Sequence, residues 1–488
     1  MTVISLPLPV NGLSQLSNET RVIATPWSRM VRGIGLGQHP IPWDRTAADR
    51  IRQALGLLSA KGTDHAGYAL FARLLTELVL DVEDPLRTLT HWDLERRLGP
   101  VLAAIRSEEN AYFQVMAGCI LMDTFAKLHL NQSLLVNAQL DFPAEVLAGV
   151  DAIEPDAIED ENAGRHGHYE KLSASTAVFL ALGELGLGQR LVTAERNRVA
   201  EALELLDSIP SPFFRGRGGS MLLSVIALLG HGRSISGTGR DHIEEVLSYL
   251  DRADELNLPP AFPQPMSAAF TKAYPLLTML NAISLSDRSG HYLRYGRDRL
   301  AEAKELMGRL TPVERTHMGL YYLIALHNLG KLDDQVPDLD ALVTDIVGQW
   351  EHIDPGANYF LNGIAYAYII QTAMLTGRMD LISEETLSRL VDGFPALNRT
   401  VDDRVNRAYP FAYSLNVLAE IGAVDLLFES REFYDGSSPI AWVVDQLSAG
   451  GREEPRLYML NHALLSYALR LRGRELQESA LFRNLHWL

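Results

Sequence analysis

Seven polar stretches, spaced along the chain, bring cationic and phenolic side chains together. They cover residues 164–172, 213–220, 270–275, 314–322, 354–362, 401–413 and 453–462, and six of the seven contain Arg or Lys. Such side chains bind carboxylates, uronates, phosphates and diphosphates. The residues expected to bind substrate are Arg165, Arg215, Arg217, Lys272, Arg315, Arg407, Arg456, Tyr409 and Tyr458. These stretches predict a pocket for an anionic organic molecule, provided that the fold brings them together.

A second set of residues suits proton transfer. His166 and His168 flank Gly167, and Tyr169 and Glu170 follow directly. His titrates near neutral pH, which suits general acid–base catalysis. The predicted catalytic set is His166, His168, Glu170, Tyr169, Asp402 and Tyr321.

We expect no metal or other cofactor. Two His separated by one residue are a weak metal signal, because the chain has no HExxH motif and a single cysteine, Cys119. Asp402 and Asp403 are adjacent, and such a pair either holds Mg²⁺ against a diphosphate or caps the following helix. Mg²⁺ is therefore expected only if the ligand is a diphosphate.

The segment FFRGRGGS, residues 213–220, is predicted to be a glycine-rich loop with Ser220 at the start of the next helix. Glycines allow the backbone to approach a ligand closely, and helix N-termini attract anions. The alternative interpretation is a flexible turn. The segment is not a P-loop, because it lacks the Lys followed by Ser or Thr.

The cations also have a purely structural interpretation. Acidic residues lie in or beside several of the stretches: Glu170, Glu314, Asp402, Asp403 and Glu454. Arg and Lys side chains paired with them would cap and staple helices, as surface ion pairs commonly do. The pocket therefore depends on the charged stretches facing one another.

A repeat of about 47 residues must position these stretches. A Tyr followed nine residues later by a Gly occurs at Tyr321, Tyr368 and Tyr413, at intervals of 47 and 45 residues. A fixed period in this range marks stacked supersecondary units. Apolar residues recur at helical spacing before the Gly, and Gly suits the left-handed position that ends a helix. Each unit is predicted to be a helix, a Gly turn and a second helix.

The two helices of a unit differ in composition, and we call them the leading and the trailing helix. Leading segments such as SMLLSVIALLG are apolar nearly all round, which predicts burial on every side, whereas trailing segments such as DRLAEAKELMGRL have one charged face. Leading helices are expected to begin near Leu172, Ser220, Ala268, Thr316, Phe360, Val405 and Leu457. This pattern predicts an all-α fold, an α/α toroid of six or seven hairpins, with an open α-solenoid as the alternative.

Composition and charge limit the class of protein. The net charge of −17 over 488 residues argues against a nucleic-acid partner. Residues 1–45 are rich in Pro and Gly and predict an N-terminal arm, 46–475 a single helical-hairpin domain, and 476–488 a C-terminal tail. One cysteine excludes an intramolecular disulfide, and no apolar run approaches the ~20 residues that span a bilayer. We expect a cytoplasmic protein with no membrane partner.

The alternation of small apolar helices with charged ones resembles the α/α toroids, which include six-hairpin glycosidases, uronyl hydrolases, terpenoid cyclases and peptide cyclases. The run Arg215-Gly216-Arg217-Gly218 is similar to the Arg-Gly-x-Gly turn of unsaturated uronyl hydrolases, although Gly219 stands where their Trp follows. Asp402-Asp403 matches only a fragment of the terpenoid cyclase acidic motif. The resemblance implies the architecture of residues 60–475 and transfers no catalytic residue.

The main functional hypothesis is a biosynthetic enzyme that performs acid–base chemistry on an anionic small molecule in a central toroid pocket. The reaction would be of the lyase, isomerase or cyclase type, with the apolar leading helices excluding water. One alternative is a non-enzymatic helical-repeat scaffold that binds a peptide or protein. Another is a hydrolase or lyase acting on uronates or glycans, for which six Trp offer little sugar stacking.

Overall fold

The structure is a computed structural model that describes most of the chain between residues 91 and 393. The described residues are 91–127, 132–158, 166–231, 239–252, 267–286, 290, 292–293, 297–354, 359–393, 418, 423–428 and 438–442. The predicted arm 1–45 and tail 476–488 lie outside them. Within these ranges the protein is all α, with no strand and two isolated bridges, which join Val136 to Asp141 and Val192 to Asn197.

The helices of the described part follow one another closely. They are α1 (His91–Arg106), α2 (Ala111–Lys127), α3 (Phe142–Gly149), α4 (Pro155–Ile158), α5 (Gly167–Glu184), α6 (Arg198–Ser208), α7 (Pro212–Leu228), α8 (His242–Arg252), α9 (Ala268–Leu285), α10 (Arg299–Arg309), α11 (Pro312–Asn328), α12 (Leu332–Gln335), α13 (Leu339–Gly348), α14 (Tyr359–Leu375) and α15 (Glu384–Asp392). Short 3₁₀ turns occur at Gln132–Leu134, Gly188–Leu191, Gln349–His352, Met379–Leu381 and Val424–Phe428.

The helices form two layers. In the leading layer α2, α5, α7, α9, α11 and α14 each pack against the next. In the trailing layer α3, α6, α8, α10 and α13 each pack against two successive leading helices. A leading helix is therefore covered on both sides and on one face, which explains why its sequence is apolar nearly all round.

Glycines end four of the six described leading helices as the repeat predicts, whereas the C-cap of α9 is Ser286. Gly186, Gly230, Gly330 and Gly377 have φ between 66° and 78°, the left-handed region that suits Gly. After each of them, the next N–H bonds to the carbonyl five residues earlier, as from Lys331 N to Leu326 O at 2.8 Å and from Arg378 N to Ala373 O at 2.7 Å. This closure satisfies the free carbonyls of the last helical turn.

Three leading helices begin earlier than predicted. Helices α5, α7 and α11 start at Gly167, Pro212 and Pro312, where starts were expected near Leu172, Ser220 and Thr316. Ser211 and Thr311 cap α7 and α11 by accepting from the N–H three residues on, and a Pro follows each cap. Residues 167–172, 213–220 and 314–322 of the polar stretches therefore lie within the leading helices and not before them.

Glu314 ties two leading helices together at their starts. Its buried carboxylate accepts from the N–H and the hydroxyl of Ser267, the N-cap of α9, at 2.7 and 2.8 Å. It also accepts from the N–H of Thr311 at 3.0 Å, which completes a capping box. Glu314 thus supports the structural interpretation of the acidic residues in these stretches.

No helix of the part described above is long and apolar enough to cross a membrane.

Candidate ligand-binding site

Side chains on the leading helices divide between two faces. A Cβ on Gly319 of α11 would lie 2.6 Å from Cδ1 of Ile346 on trailing helix α13, so Gly319 faces the trailing layer. Tyr321, two residues further, is rotated by about 200° and faces away from that layer. Tyr368 of α14 is the equivalent of Tyr321 one repeat later, and its hydroxyl lies 3.3 Å from that of Tyr321. We call the side turned away from the trailing helices the front face.

A continuous band of rings crosses the front face. Its members are His166 and Tyr169 of α5, Phe214 and Arg217 of α7, Phe270 and Tyr274 of α9, His317 and Tyr321 of α11, and Tyr368 of α14. We call these nine residues the aromatic band. It joins five successive leading helices, from the first turn of α5 to the middle of α11 and α14.

The α9–α14 half of the band follows the repeat. The ring centroids of Tyr274 and Tyr321 are 5.4 Å apart, and the hydroxyls of Tyr321 and Tyr368 are 3.3 Å apart. Phe270 and His317 are also in ring contact, at 5.9 Å, and His317 lies 4.5 Å from Tyr368. Each contact between equivalent positions spans 47 residues, which places the Tyr residues at one level of parallel helices.

Four of the predicted catalytic residues lie at the start of α5, and two of them, His166 and Tyr169, belong to the band. His166 is the N-cap of α5 and its ring lies 4.2 Å from Phe214. The Tyr169 hydroxyl donates to Sδ of Met221 at 3.8 Å. Glu170 accepts from the hydroxyl of Tyr112 on α2 at 2.8 Å. Nδ1 of His168 is buried, with no hydrogen-bond partner in the described part of the chain.

Arg217 is the predicted cation that lies in the band. Its guanidinium carbon is 5.7 Å from the ring centre of Tyr169 and 5.4 Å from that of Tyr274, so it joins α5 to α9 across α7. Arg217, Tyr274 and His166 are half-buried, whereas the other members of the band are buried. Solvent therefore reaches the band at the cation.

Three other predicted anion-binding cations point towards the trailing layer. Arg215 donates to the carbonyls of Ile209 and Asp207 at the end of α6. Nζ of Lys272 lies 3.8 Å from the carboxylate of Glu302 on α10. Arg315 pairs with Asp345 on α13 at 3.4 Å. These partners staple helices together, which is the structural interpretation of the cations, and the three side chains do not converge with Arg217.

The prediction of a glycine-rich loop at 213–220 is wrong. The segment is the helical interior of α7, and Ser220 is a buried mid-helix residue that donates to the Gly216 carbonyl. A Cβ on Gly216 would meet Leu250 at 2.4 Å, and one on Gly219 would meet Val246 at 2.5 Å. Glycines here allow α7 and α8 to pack closely. Because the segment is helical, its backbone N–H groups bond within α7 and are not offered to an anion.

Several predicted site residues lie outside the described part of the chain. They are Arg165, Asp402, Arg407, Tyr409, Arg456 and Tyr458. Their roles stay predictions, as do the adjacent Asp402 and Asp403 as an acidic pair.

Five members of the band are absent from the predicted site residues: Phe214, Phe270, Tyr274, His317 and Tyr368. The signal that would have found four of them is the 47-residue spacing itself, applied to aromatic and imidazole side chains of the leading helices.

Burial controls the protonation of polar residues beside the band. Burial raises the pKa of the Tyr322 and Tyr366 hydroxyls, and it lowers the pKa of His327, although Asp333 opposes that shift. All three side chains are therefore uncharged at neutral pH. The described residues contain no group of three His, Cys, Asp or Glu side chains suited to a metal ion. The expectation of no metal cofactor remains a prediction.

Comparison of the chain with protein-family models, with curated proteins and with solved structures finds no match in any of the three.

Proposed function

We propose that the protein is an enzyme that binds an anionic organic molecule at the aromatic band and performs acid–base chemistry on it. The single observation that supports this most is the contact of Arg217 with Tyr169 and Tyr274 within a band of rings that crosses five helices. A cation beside aromatic faces, at the accessible end of an apolar surface, suits a ligand with an anionic group and an unsaturated or aromatic body.

The roles within this proposal follow from position. Arg217 binds the anion, because it is the cation that the front face presents among the predicted site residues described by the structure. The rings of Tyr169, Phe214 and Tyr274 contact the body of the ligand. His166 and the Tyr321–Tyr368 hydroxyl pair transfer protons, since they belong to the predicted catalytic set or contact it and lie on either side of Arg217 and Tyr274.

We further propose that the leading layer curls into an α/α toroid with the front face inside. Successive leading helices packed in one layer, each covered by trailing helices on the same side, support this arrangement. In a closed ring the band would line a shared chamber and the apolar walls would exclude water. In an open solenoid the same face would form a groove.

The experiment is a binding screen on the purified full-length protein. Thermal unfolding is measured with a panel of aromatic and aliphatic carboxylates, phosphate esters and diphosphates. We expect a panel member to raise the unfolding temperature of the wild type, because a ligand that binds only the folded state stabilises it. Arg217→Ala should lose that response, with affinity reduced about 10-fold or more for a lost charge-assisted contact.

Arg315→Ala is the matched control, because its cation pairs with Asp345 on the trailing side. It should keep the ligand response of the wild type. A panel that stabilises nothing, or an Arg217→Ala protein that responds as the wild type does, contradicts the proposal. Binding of peptides but of no small anion would favour the scaffold instead.

A further inference from the structure

Gln371 of α14 is a buried amide with no hydrogen-bond partner among the residues that the structure describes. Its side chain is 1% exposed, and within the described part of the chain neither Nε2 nor Oε1 has a hydrogen-bond partner. Desolvating an amide without replacing its hydrogen bonds is unfavourable, and most buried polar groups in proteins are paired. When both the nitrogen and the oxygen of a buried amide lack partners, we expect a polar group of a bound ligand to supply the missing hydrogen bonds.

Gln371 lies on the front face, beside the aromatic band. It follows Tyr368 by three residues, which places it about 4.5 Å further along the helix axis and about 60° away around it. By the 47-residue repeat, Gln371 corresponds to Ile324 of α11, which is rotated by about 140° from Gly319, the residue that faces the trailing layer. Gln371 therefore points away from the trailing layer. The Gln371 amide and the Tyr321–Tyr368 hydroxyl pair thus lie on the front face, within one helical turn of each other along α14.

A second polar pair lies further along the same face. Nδ2 of Asn328 on α11 donates to Oδ1 of Asn281 on α9 at 3.2 Å, across another 47-residue step. Asn281 is fully buried, and its Nδ2 has no hydrogen-bond partner among the described residues. By the repeat, Asn328 lies one turn beyond the level of Gln371. The front face therefore carries polar side chains on the C-terminal side of Tyr274, Tyr321 and Tyr368.

We propose that Gln371 binds a neutral, planar amide-type group of the ligand, such as a carboxamide or lactam. Nε2 requires an acceptor and Oε1 requires a donor, and an amide presents both in one plane. A carboxylate offers acceptors alone and would leave Oε1 facing negative charge. This inference rests on the proposed function and deepens it: Arg217 binds the anionic group, and Gln371 recognises an amide elsewhere on the front face.

The test uses benzamide as the probe and benzoate as its charged counterpart, on the full-length protein. Binding is measured by saturation-transfer NMR titration. We expect the wild type to bind benzamide, and Gln371→Met to weaken that binding about tenfold, the usual effect of losing paired hydrogen bonds at near-constant side-chain volume. The unfolding temperature of Gln371→Met should be equal to or above that of the wild type, since the unpaired amide is removed.

Gln349→Met is the matched control. Gln349 is also buried, but its Nε2 donates to the backbone carbonyl of Asp345 at 2.7 Å on the trailing side. This variant should unfold at a lower temperature and bind benzamide as the wild type does. If Gln371→Met instead loses as much stability as Gln349→Met, or keeps full benzamide affinity, the inference is overturned.

A crystal structure of the wild type soaked in benzamide decides the matter if the Met variant does not fold. Density for the probe amide against Gln371 supports the inference, and density for water alone overturns it. The outcome is separable from the proposed function: loss of anion binding in Arg217→Ala with no benzamide binding rejects the Gln371 site alone. Benzamide binding that depends on Gln371, with no anion response, rejects the anion proposal alone.

Discussion

At the scale of single residues, one backbone contact positions the start of α5. Gly167 is the first residue of α5, between the two histidines of the predicted catalytic set. A Cβ there would lie 2.1 Å from the carbonyl oxygen of Pro155 and 2.5 Å from its carbonyl carbon. Backbone atoms cannot move aside as the end of a side chain can. The missing side chain therefore lets α5 begin against α4, which sets where His166 and His168 lie.

We predict that Gly167→Ala destabilises the protein by about 1–3 kcal/mol, the usual range for overpacking a site with no room. Urea unfolding followed by circular dichroism measures the change. Gly308→Ala is the control: a Cβ at this exposed position of α10 meets nothing within 4 Å, so the change should add about 0.5–1 kcal/mol of stability. Equal effects of the two substitutions would contradict the steric argument.

At the scale of elements, a repeated ion-pair arrangement links one trailing helix to the next. Asp251, in the last turn of α8, accepts two hydrogen bonds from Arg299 at the start of α10, at 2.8 and 2.9 Å. Arg240 pairs with Asp207 in the same two-bonded manner, and Arg196 with Asp151. Each pair joins the C-terminal end of one trailing helix to the start of the next through two charge-assisted hydrogen bonds.

We predict that Asp251→Asn lowers the free energy of unfolding by about 1–3 kcal/mol at pH 7, the range for hydrogen bonds to charged groups. Arg299 is largely buried, so loss of its partner is felt more than at an exposed pair. Glu385→Gln removes the exposed pair with Arg389 within α15 and should cost under about 1 kcal/mol. Chemical denaturation of the two variants side by side measures the difference.

The effect of Asp251→Asn should depend on pH. Burial raises the pKa of Asp251, but the hydrogen bonds and charge of Arg299 outweigh it and hold that pKa below its usual value. The ion pair contributes fully above the unfolded-state pKa of about 3.9, and its contribution is lost as the pH falls through the lower folded-state pKa. The stability difference between wild type and Asp251→Asn should therefore shrink below about pH 4. A difference that stays constant to the lowest pH at which both proteins fold would contradict this assignment.

At the scale of the whole molecule, both layers follow the order of the chain: each leading helix packs against the next, and each trailing helix packs against two successive leading helices. Every described leading helix from α5 to α11 contacts its neighbours in its own layer and trailing helices on one face. The contacts at Tyr274, Tyr321 and Tyr368 repeat at equal sequence intervals of 47 residues, as stacked repeats of one kind do. Repetition of one such step gives either a ring or a superhelix.

Small-angle X-ray scattering of the full-length protein tests the proposed ring. A compact chain of 488 residues has a radius of gyration of about 23 Å. We predict a value close to that and a single-peaked distance distribution, because a toroid folds the repeats back on themselves. A longer molecule with an extended distance distribution would contradict closure and turn the proposed chamber into a groove.

Part of this structure was predictable because local rules produce it. The trailing helices are marked in the sequence by one charged face and by capping residues, which are Asn197, Asp298, Asp338 and Ser383 in the structure. The glycine prediction failed at Gly216, Gly218 and Gly219 because glycine breaks isolated helices. In α7 the close approach of Leu250, Leu172 and Val246 compensates for that weakness.

The sequence by itself determined the all-α class, the period of about 47 residues and the glycine that ends leading helices, because each depends on neighbours in the chain. Only the tertiary structure decided which cations meet the aromatic band. Arg215 and Arg217 are two residues apart and point to opposite sides of α7, one to the end of α6 and the other to Tyr274. A leading helix that is apolar all round contains no periodicity that marks its front face. The front face can be identified only in the folded protein, where the trailing helices cover the opposite face of the leading helices.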